Sequence, residues 1–183
     1  MNPIDQMKDE HCHIQAMLQV LDNFSTRLES GLAPPLDHGG SLLNFFRDYA
    51  DKFHHEKEEQ LVFPLLEKLG VPRTGGPVEL MLEDHVQGRA YLREMTELLE
   101  RLRKPDAEAA GPFAQCARNY LHLMMEHIRT EDDAIFDMIE MRLSPLQLEQ
   151  LAAEFAAHEK IQLGTGKKEE LLSLRYHLEE AYP

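Results

Sequence analysis

Apolar residues recur at alternating spacings of three and four along four long stretches of the chain, and nowhere does a β-branched run alternate with polar positions. The first stripe is Ile4, Met7, His11, Ile14, Leu18, Leu21 and Leu28, with Ser25 filling its one gap. The second is Leu43, Phe46, Ala50, His54, Glu58, Leu61 and Leu65. The third is Val78, Met81 or Leu82, His85, Gly88, Leu92, Met95, Leu99 and Leu102. The fourth is Phe113, Ala117, Tyr120, Met124, His127, Glu131, Ala134, Met138 and Met141. Punctuation frames them. Asn2-Pro3 starts a helix running to about Ser30, and GLAPPLDHGG breaks it. A second helix runs from about Ser41 to Leu69, and a third from Gly76-Pro77 to near Lys104-Pro105. A fourth runs from Gly111-Pro112 to near Arg142. Ser144-Pro145 opens a further helical segment, separated from a last one by Gly164 to Gly166. The pattern predicts an all-α fold. Residues 1–143 form an up-down-up-down four-helix bundle, and 144–183 a C-terminal helical extension packed on it.

Six residues violate the stripes: His11, His54, Glu58, His85, His127 and Glu131. A carboxylate buried without a partner costs several kcal/mol or is forced to change its pKa. No Lys or Arg sits on a stripe beside the two glutamates, so a bound cation is the expected compensation. His11 and His85 lie about seven residues past their helix starts, roughly 10 Å along the axis. The two His-xxx-Glu pairs lie in the later halves of helices 2 and 4, so in an antiparallel bundle all six meet in one layer. The two halves also read as a repeat: DEHCHIQAML matches EDHVQGRAYL, and HHEKEEQLVF matches HIRTEDDAIF. His and Glu four apart share one helix face and can serve one centre. Four imidazoles and two carboxylates exceed a tetrahedral zinc site. They suit two octahedral metals, each with two imidazoles and both carboxylates bridging, with remaining positions for a bridging oxygen and a small molecule. Mixed nitrogen and oxygen ligation favours iron, with manganese second.

Composition narrows the partners. The 183 residues carry 19 Lys+Arg against 33 Asp+Glu, a formal net charge of -14, which excludes the basic stripe that nucleic acid or an anionic membrane requires. The N-terminus has no basic or apolar signal region, and no apolar run approaches a membrane span. Cys12 and Cys116 are the only cysteines and form no CxxC, so a disulfide framework or zinc ribbon is not expected and the reducing cytoplasm is.

The phrases EHCHI, HHEKEEQLVFP, EDHVQGRAYL and EHIRTEDDAIF resemble the hemerythrin-like HHE cation-binding domain over about residues 1–143. The tail is similar to the C-terminal helices that follow in bacterial members. The resemblance implies a non-haem, carboxylate-bridged pair of irons, with ligands His11, His54, Glu58, His85, His127 and Glu131. Oxygen-carrying members place His-xxx-His on the third helix, where this chain has Met81 and Arg89 around His85. They use an aspartate five residues after the helix-4 histidine; Asp132 stands there, but Glu131 repeats the helix-2 spacing and is the expected ligand. With four imidazoles, one iron is more open, which favours reaction with O2, peroxide or NO over oxygen carriage. The pattern is similar to the iron–sulfur repair di-iron proteins, but this sequence starts at helix 1 without their cysteine-containing N-terminal domain, so a repair role is not expected. The alternative is a sensor or iron-buffering module acting through a protein partner or a second copy, with the tail from Ser144 as the contact.

Other residues carry a blander expectation. His55 is read as solvated beside Asp51, Lys52 and Glu59 or as backing a ligand; His13 points away from His11; His38 lies in a loop; His122, His158 and His177 lie on the surface. Glu59 and Asp132 are free to accept hydrogen bonds. Tyr120, and less so Tyr49, are core aromatics with a gating or redox role as the sharper reading. Cys12 is read as a small buried hydrophobe, Pro64 as a kink after the helix-2 ligands, and the methionines as core filler.

Overall fold

The computed structural model describes residues 2–104 and 107–183, and every regular element among them is helical. Helix α1 is Pro3–Glu29. Helix α2, 36–68, begins as Leu36–Phe45, passes through π-helical segments Phe46–His55 and Glu58–Val62, and ends as Phe63–Lys68. Helix α3 is Pro77–Leu102. Helix α4, 110–140, joins Ala110–Thr130 to Phe136–Glu140 through a π-helical Glu131–Ile135. Helices α5, Pro145–Gln162, and α6, Lys167–Ala181, follow.

Local chemistry sets these ends. The Asn2 side chain accepts from the Ile4 N–H at 3.0 Å with Pro3 in the first turn, and Ser144 and Gln147 form a reciprocal capping box ahead of Pro145. Helix α2 starts at Leu36, not near Ser41, so the second half of GLAPPLDHGG is helical and His38 is not in a loop. Gly39 is there for close packing: a Cβ would lie 2.8 Å from Phe24 Cζ. Helix α3 stops at Leu102; Pro105, at its expected end, lies outside the described residues.

Two apolar cores flank a polar layer. One gathers α1 from Ile14 onward, the first part of α2, the later part of α3 and most of α4, and takes in Leu171, Leu178 and Tyr182 of the C-terminal tail. The other gathers Ile4, Met7, Val78 and Met81 with the ends of α2 and α4, closed by Leu151 and Phe155 of α5. Each buried large side chain contributes about 1.5–3 kcal/mol. The tail is also tied by polar contacts. The Asn23 amide donates to the carbonyls of Tyr182 and Pro183, Arg27 donates to that of Ala181, and His38 Nδ1 lies 2.8 Å from the Tyr182 hydroxyl. No helix among the described residues is long and apolar enough to cross a membrane.

The stripes fail at the same point twice. After Glu58 the chain buries Val62 and Leu66 in place of the expected Leu61 and Leu65. After Glu131 it buries Ile135, Phe136 and Ile139, while Ala134 and Met141 are exposed and Met138 is half-buried. A π turn holds one more residue than an α turn, so everything beyond it advances by one position. Beyond the first of these turns, Phe63 N–H bonds the Glu58 carbonyl and Pro64 supplies no donor.

Candidate metal centre

The six stripe-breaking residues are all buried in the layer between the two cores. His11 and His54 bring their Nε2 atoms to 2.9 Å, and His85 and His127 bring theirs to 3.2 Å. Glu58 spans the pairs, with Oε1 3.3 Å from His54 Nε2 and Oε2 3.3 Å from His85 Nε2. Glu131 Oε2 lies 3.2 Å from His11 Nε2 and 3.4 Å from His127 Nε2. None of these carboxylate contacts is aligned as a hydrogen bond, so all four oxygens are buried and orphaned among the described residues.

The outer ring nitrogens are occupied. His11 Nδ1 meets Asp132 at 2.8 Å, His54 Nδ1 meets Glu10 at 2.9 Å, His85 Nδ1 meets Glu59 at 2.8 Å and His127 Nδ1 meets Asp84 at 3.4 Å. A carboxylate on Nδ1 fixes the tautomer that presents an Nε2 lone pair inward. Lone pairs 2.9 and 3.2 Å apart repel unless a proton or a metal ion lies between them. A metal about 2.1 Å from two ligands at right angles sets them about 3 Å apart. The donors therefore fit a pair of metal ions.

The repeat extends further than the His-xxx-Glu phrase. The carboxylate before His11 and before His85 (Glu10, Asp84) backs the histidine of the next helix, His54 or His127. The carboxylate five residues after His54 or His127 (Glu59, Asp132) backs His85 or His11. The phenylalanine nine residues after, Phe63 or Phe136, stacks on that same imidazole at 5.8 or 5.4 Å. Aromatic faces thus shield both ends of the layer from water.

Three features break the symmetry. His55 is buried, not solvated; it stacks on His85 at 4.1 Å, and its Nε2 has no partner among the described residues. Side-chain donors of His55, Glu58, His85 and His127 lie within 4.8 Å of one another, as do those of His11, His54, Glu58 and Glu131. The layer thus holds five imidazoles, three on one side and two on the other, where four were expected. Lys57 is fully buried with its ammonium 2.5 Å from Glu10 and 3.9 Å from the Phe53 ring centroid, so a lysine does reach the layer, although it compensates Glu10 and not Glu58. Arg89, one turn past His85, donates to Asp51 at 2.7 Å and Glu59 at 2.8 Å.

Electrostatics follow from burial and these contacts. Burial alone would lower His11, but its hydrogen bond to Asp132 and the close carboxylates of Glu131 and Glu58 raise it to about 10. His85 rises to about 9 against the same burial, through Glu58 and Glu59. His55 is pushed well below its usual value by burial and by the neighbouring imidazoles, which keeps it a neutral donor. Burial would raise Glu10, but the Lys57 charge and His54 bring it down to about 2. Burial lowers Lys57, with the Glu10 charge opposing.

A family model described as the hemerythrin HHE cation binding domain matches residues 2–139. The chain belongs to the hemerythrin HHE family. As the family's description states, this domain binds cations, and the His/Glu clusters are the groups suited to holding them. Among curated proteins it is similar to uncharacterised proteins of Mycobacterium tuberculosis and Mycobacterium bovis, 23% identical over 162 residues, which is 88% of this chain and 62% of each relative. The chain thus spans under two thirds of their length. A DNA nickase of Nostoc sp. is 33% identical over 114 residues, covering 62% of this chain and 29% of the nickase. No solved structure matches.

His122 and His177 are exposed, and His13 is half-buried with Nδ1 facing Arg175 at 2.7 Å. His158 is buried, not on the surface, and neither ring nitrogen has a partner among the described residues. Cys12 is exposed, contrary to its reading as a buried hydrophobe. Tyr120 is buried edge-on to Phe46 at 5.2 Å, and burial raises its hydroxyl pKa. Tyr49 stacks on Phe45 at 4.9 Å with its hydroxyl unpartnered among the described residues. Five methionines are core filler, whereas Met125 and Met141 are exposed.

Proposed function

We propose that this HHE chain holds two iron ions, one against His11 and His54, the other against His55, His85 and His127, with Glu58 and Glu131 between them, and that the centre binds or reacts with O2, peroxide or NO. The observation that carries the reading is the pair of buried, orphaned carboxylates facing five imidazole nitrogens. Bound there, iron would supply redox chemistry and open coordination positions for a diatomic or peroxide ligand, with manganese as the second choice.

The chain's own residues do the rest. Asp132, Glu10, Glu59 and Asp84 hold the imidazoles in one tautomer, and Phe63 and Phe136 keep water from their faces. Each side gathers four side-chain donors, but only two on the side of His11 and His54 are imidazoles, and we assign the small molecule to that side. An up-down-up-down order, with the segment from 144 as an extension, is part of this reading: residues near the starts of α1 and α3 meet residues beyond the middles of α2 and α4. The Nostoc name does not travel with a match to 29% of that protein.

The test is rapid mixing of the reduced, iron-loaded protein with O2, peroxide and NO, followed by absorption. Formation of a new spectral species with at least one of the three, abolished in His54→Ala and Glu58→Ala, supports the proposal. An inert centre would favour the second reading, a sensor or iron buffer acting through a partner, with the tail from Ser144 as the contact.

A further inference from the structure

Outside the metal layer, α2 and α3 enclose a cleft of about 500 Å³, within the size range of small-molecule sites. Four cationic side chains line it, Arg47, Lys52, Arg89 and Arg93, against Asp51 and Glu97. This concentration stands out in a chain with a net charge of -14. The cations are not equally neutralised. Lys52 pairs with Asp48 at 3.0 Å, and Arg89 with Asp51 and Glu59. Arg47 donates only to the neutral Asn44, at 2.9 Å, and Arg93 has no ion-pair or hydrogen-bond partner among the described residues. Two guanidiniums, one from each wall, are therefore left without a carboxylate. A guanidinium fork matches the geometry of a carboxylate or phosphate group.

Arg89 gives the cleft a line to the metal layer. Its Nη2 holds the Glu59 oxygen that backs His85 Nδ1, and its Nε holds Asp51, whose carboxylate lies 3.8 Å from His55 Nδ1. One side chain in the cleft thus touches the carboxylates behind two of the three imidazoles on that side.

We infer that this cleft binds a small doubly charged oxyanion, a phosphate or a dicarboxylate, and that Arg89 passes its arrival to His85 and His55. An oxyanion drawn in by Arg47 and Arg93 competes for the Arg89 fork, weakens its hold on Glu59 and so alters the hydrogen bond that orients His85. The binding step stands on the cleft alone. The coupling step rests on the metal reading above.

Calorimetric titration of the full chain, metal-free and iron-loaded, with inorganic phosphate and with succinate tests both steps, against sodium chloride controls of equal ionic strength. Binding of at least one anion at a single site, with Kd of about 0.1–1 mM, is expected, and the tighter of the two identifies the head group. R47A/R93A should weaken it at least tenfold with helicity and Tm unchanged. No saturation by either anion at about 10 mM, or equal binding by the variant, overturns the site. In the iron-loaded protein the saturating anion should shift the absorption bands of the wild type, but not of R89Q or R47A/R93A. Binding without a shift, or a shift that survives in R47A/R93A, overturns the coupling. A chain that takes up no iron defeats the coupling together with the metal reading, while the metal-free titration still decides the cleft.

Discussion

Lys57→Met is the sharpest single perturbation of the layer. Lys57 is wholly buried, and its ammonium is held by Glu10 at 2.5 Å and by the Phe53 and Phe155 rings at 3.9 and 5.1 Å. Removing one member of a buried ion pair leaves the other charge uncompensated, at a cost of about 3–5 kcal/mol. Linkage gives a similar figure. A carboxyl brought down from 4.5 to about 2 contributes about 3 kcal/mol at neutral pH, an upper bound for Lys57 because His54 supplies part of the shift and burial lowers Lys57 itself. In a chain of this size about 2–4 °C of Tm accompanies each kcal/mol, so the metal-free variant should melt about 6–20 °C below wild type by circular dichroism. Glu10→Gln with Lys57→Met removes both charges and should recover most of the loss. Because the Glu10 pKa is depressed, its contribution is present above about pH 4.5 and fades as pH falls towards 2, so the wild-type and Lys57→Met stabilities should converge there. A single variant that melts within about 2 °C of wild type at neutral pH would refute the reasoning.

Three further outcomes follow from the same contacts. His55→Ala and His54→Ala should each reduce iron from two per chain towards one, whereas exposed His122→Ala should leave metal content unchanged; atomic absorption on purified protein decides. His11 and His85 are raised to about 10 and 9 from 6.5, so their contribution to metal-free stability is fully present below about pH 6.5 and lost as pH rises through 9 to 10. Urea midpoints of the metal-free protein should fall over that window, and those of iron-loaded protein should fall less, because metal takes the place of the protons. Phe155→Ala, at a fully buried α5 ring over Lys57, should cost about 3–5 kcal/mol in the same assay, and a loss under about 1 kcal/mol would mean that α5 does not seal the layer.

Much of this could be read from the chain because each half is a periodic amphipathic pattern with polar exceptions at fixed heights. The stripes place His11, His54, Glu58, His85, His127 and Glu131 in one layer, where the structure buries them. His55 is buried where the stripe leaves it on an outer face, and the reason is physical. On a regular α-helix, successive residues diverge by 100°, so His54 and His55 cannot both face a core. The π-helical Phe46–His55 relaxes that constraint, and no residue in the stretch announces it. The same effect moved the stripe from Leu61 and Leu65 to Val62 and Leu66. Glu131 and Asp132 both have work: one faces the centre and the other backs His11, because successive helical residues already point about 100° apart. Glu10 and Asp84 were legible in principle, as acidic residues preceding the histidines in DEH and EDH, but a single acidic residue beside a histidine carries little signal without its partner. Lys57 was not legible at all: a lysine in an acidic run reads as solvated until tertiary packing buries it.

The polar layer is proposed to hold two iron ions. The measurement that tests it most directly is metal content per chain, with an optical spectrum, on protein purified from iron-supplemented cells. The account predicts two irons per chain and near-ultraviolet charge-transfer bands that bleach on reduction. One zinc, or no metal with the fold intact, would contradict it.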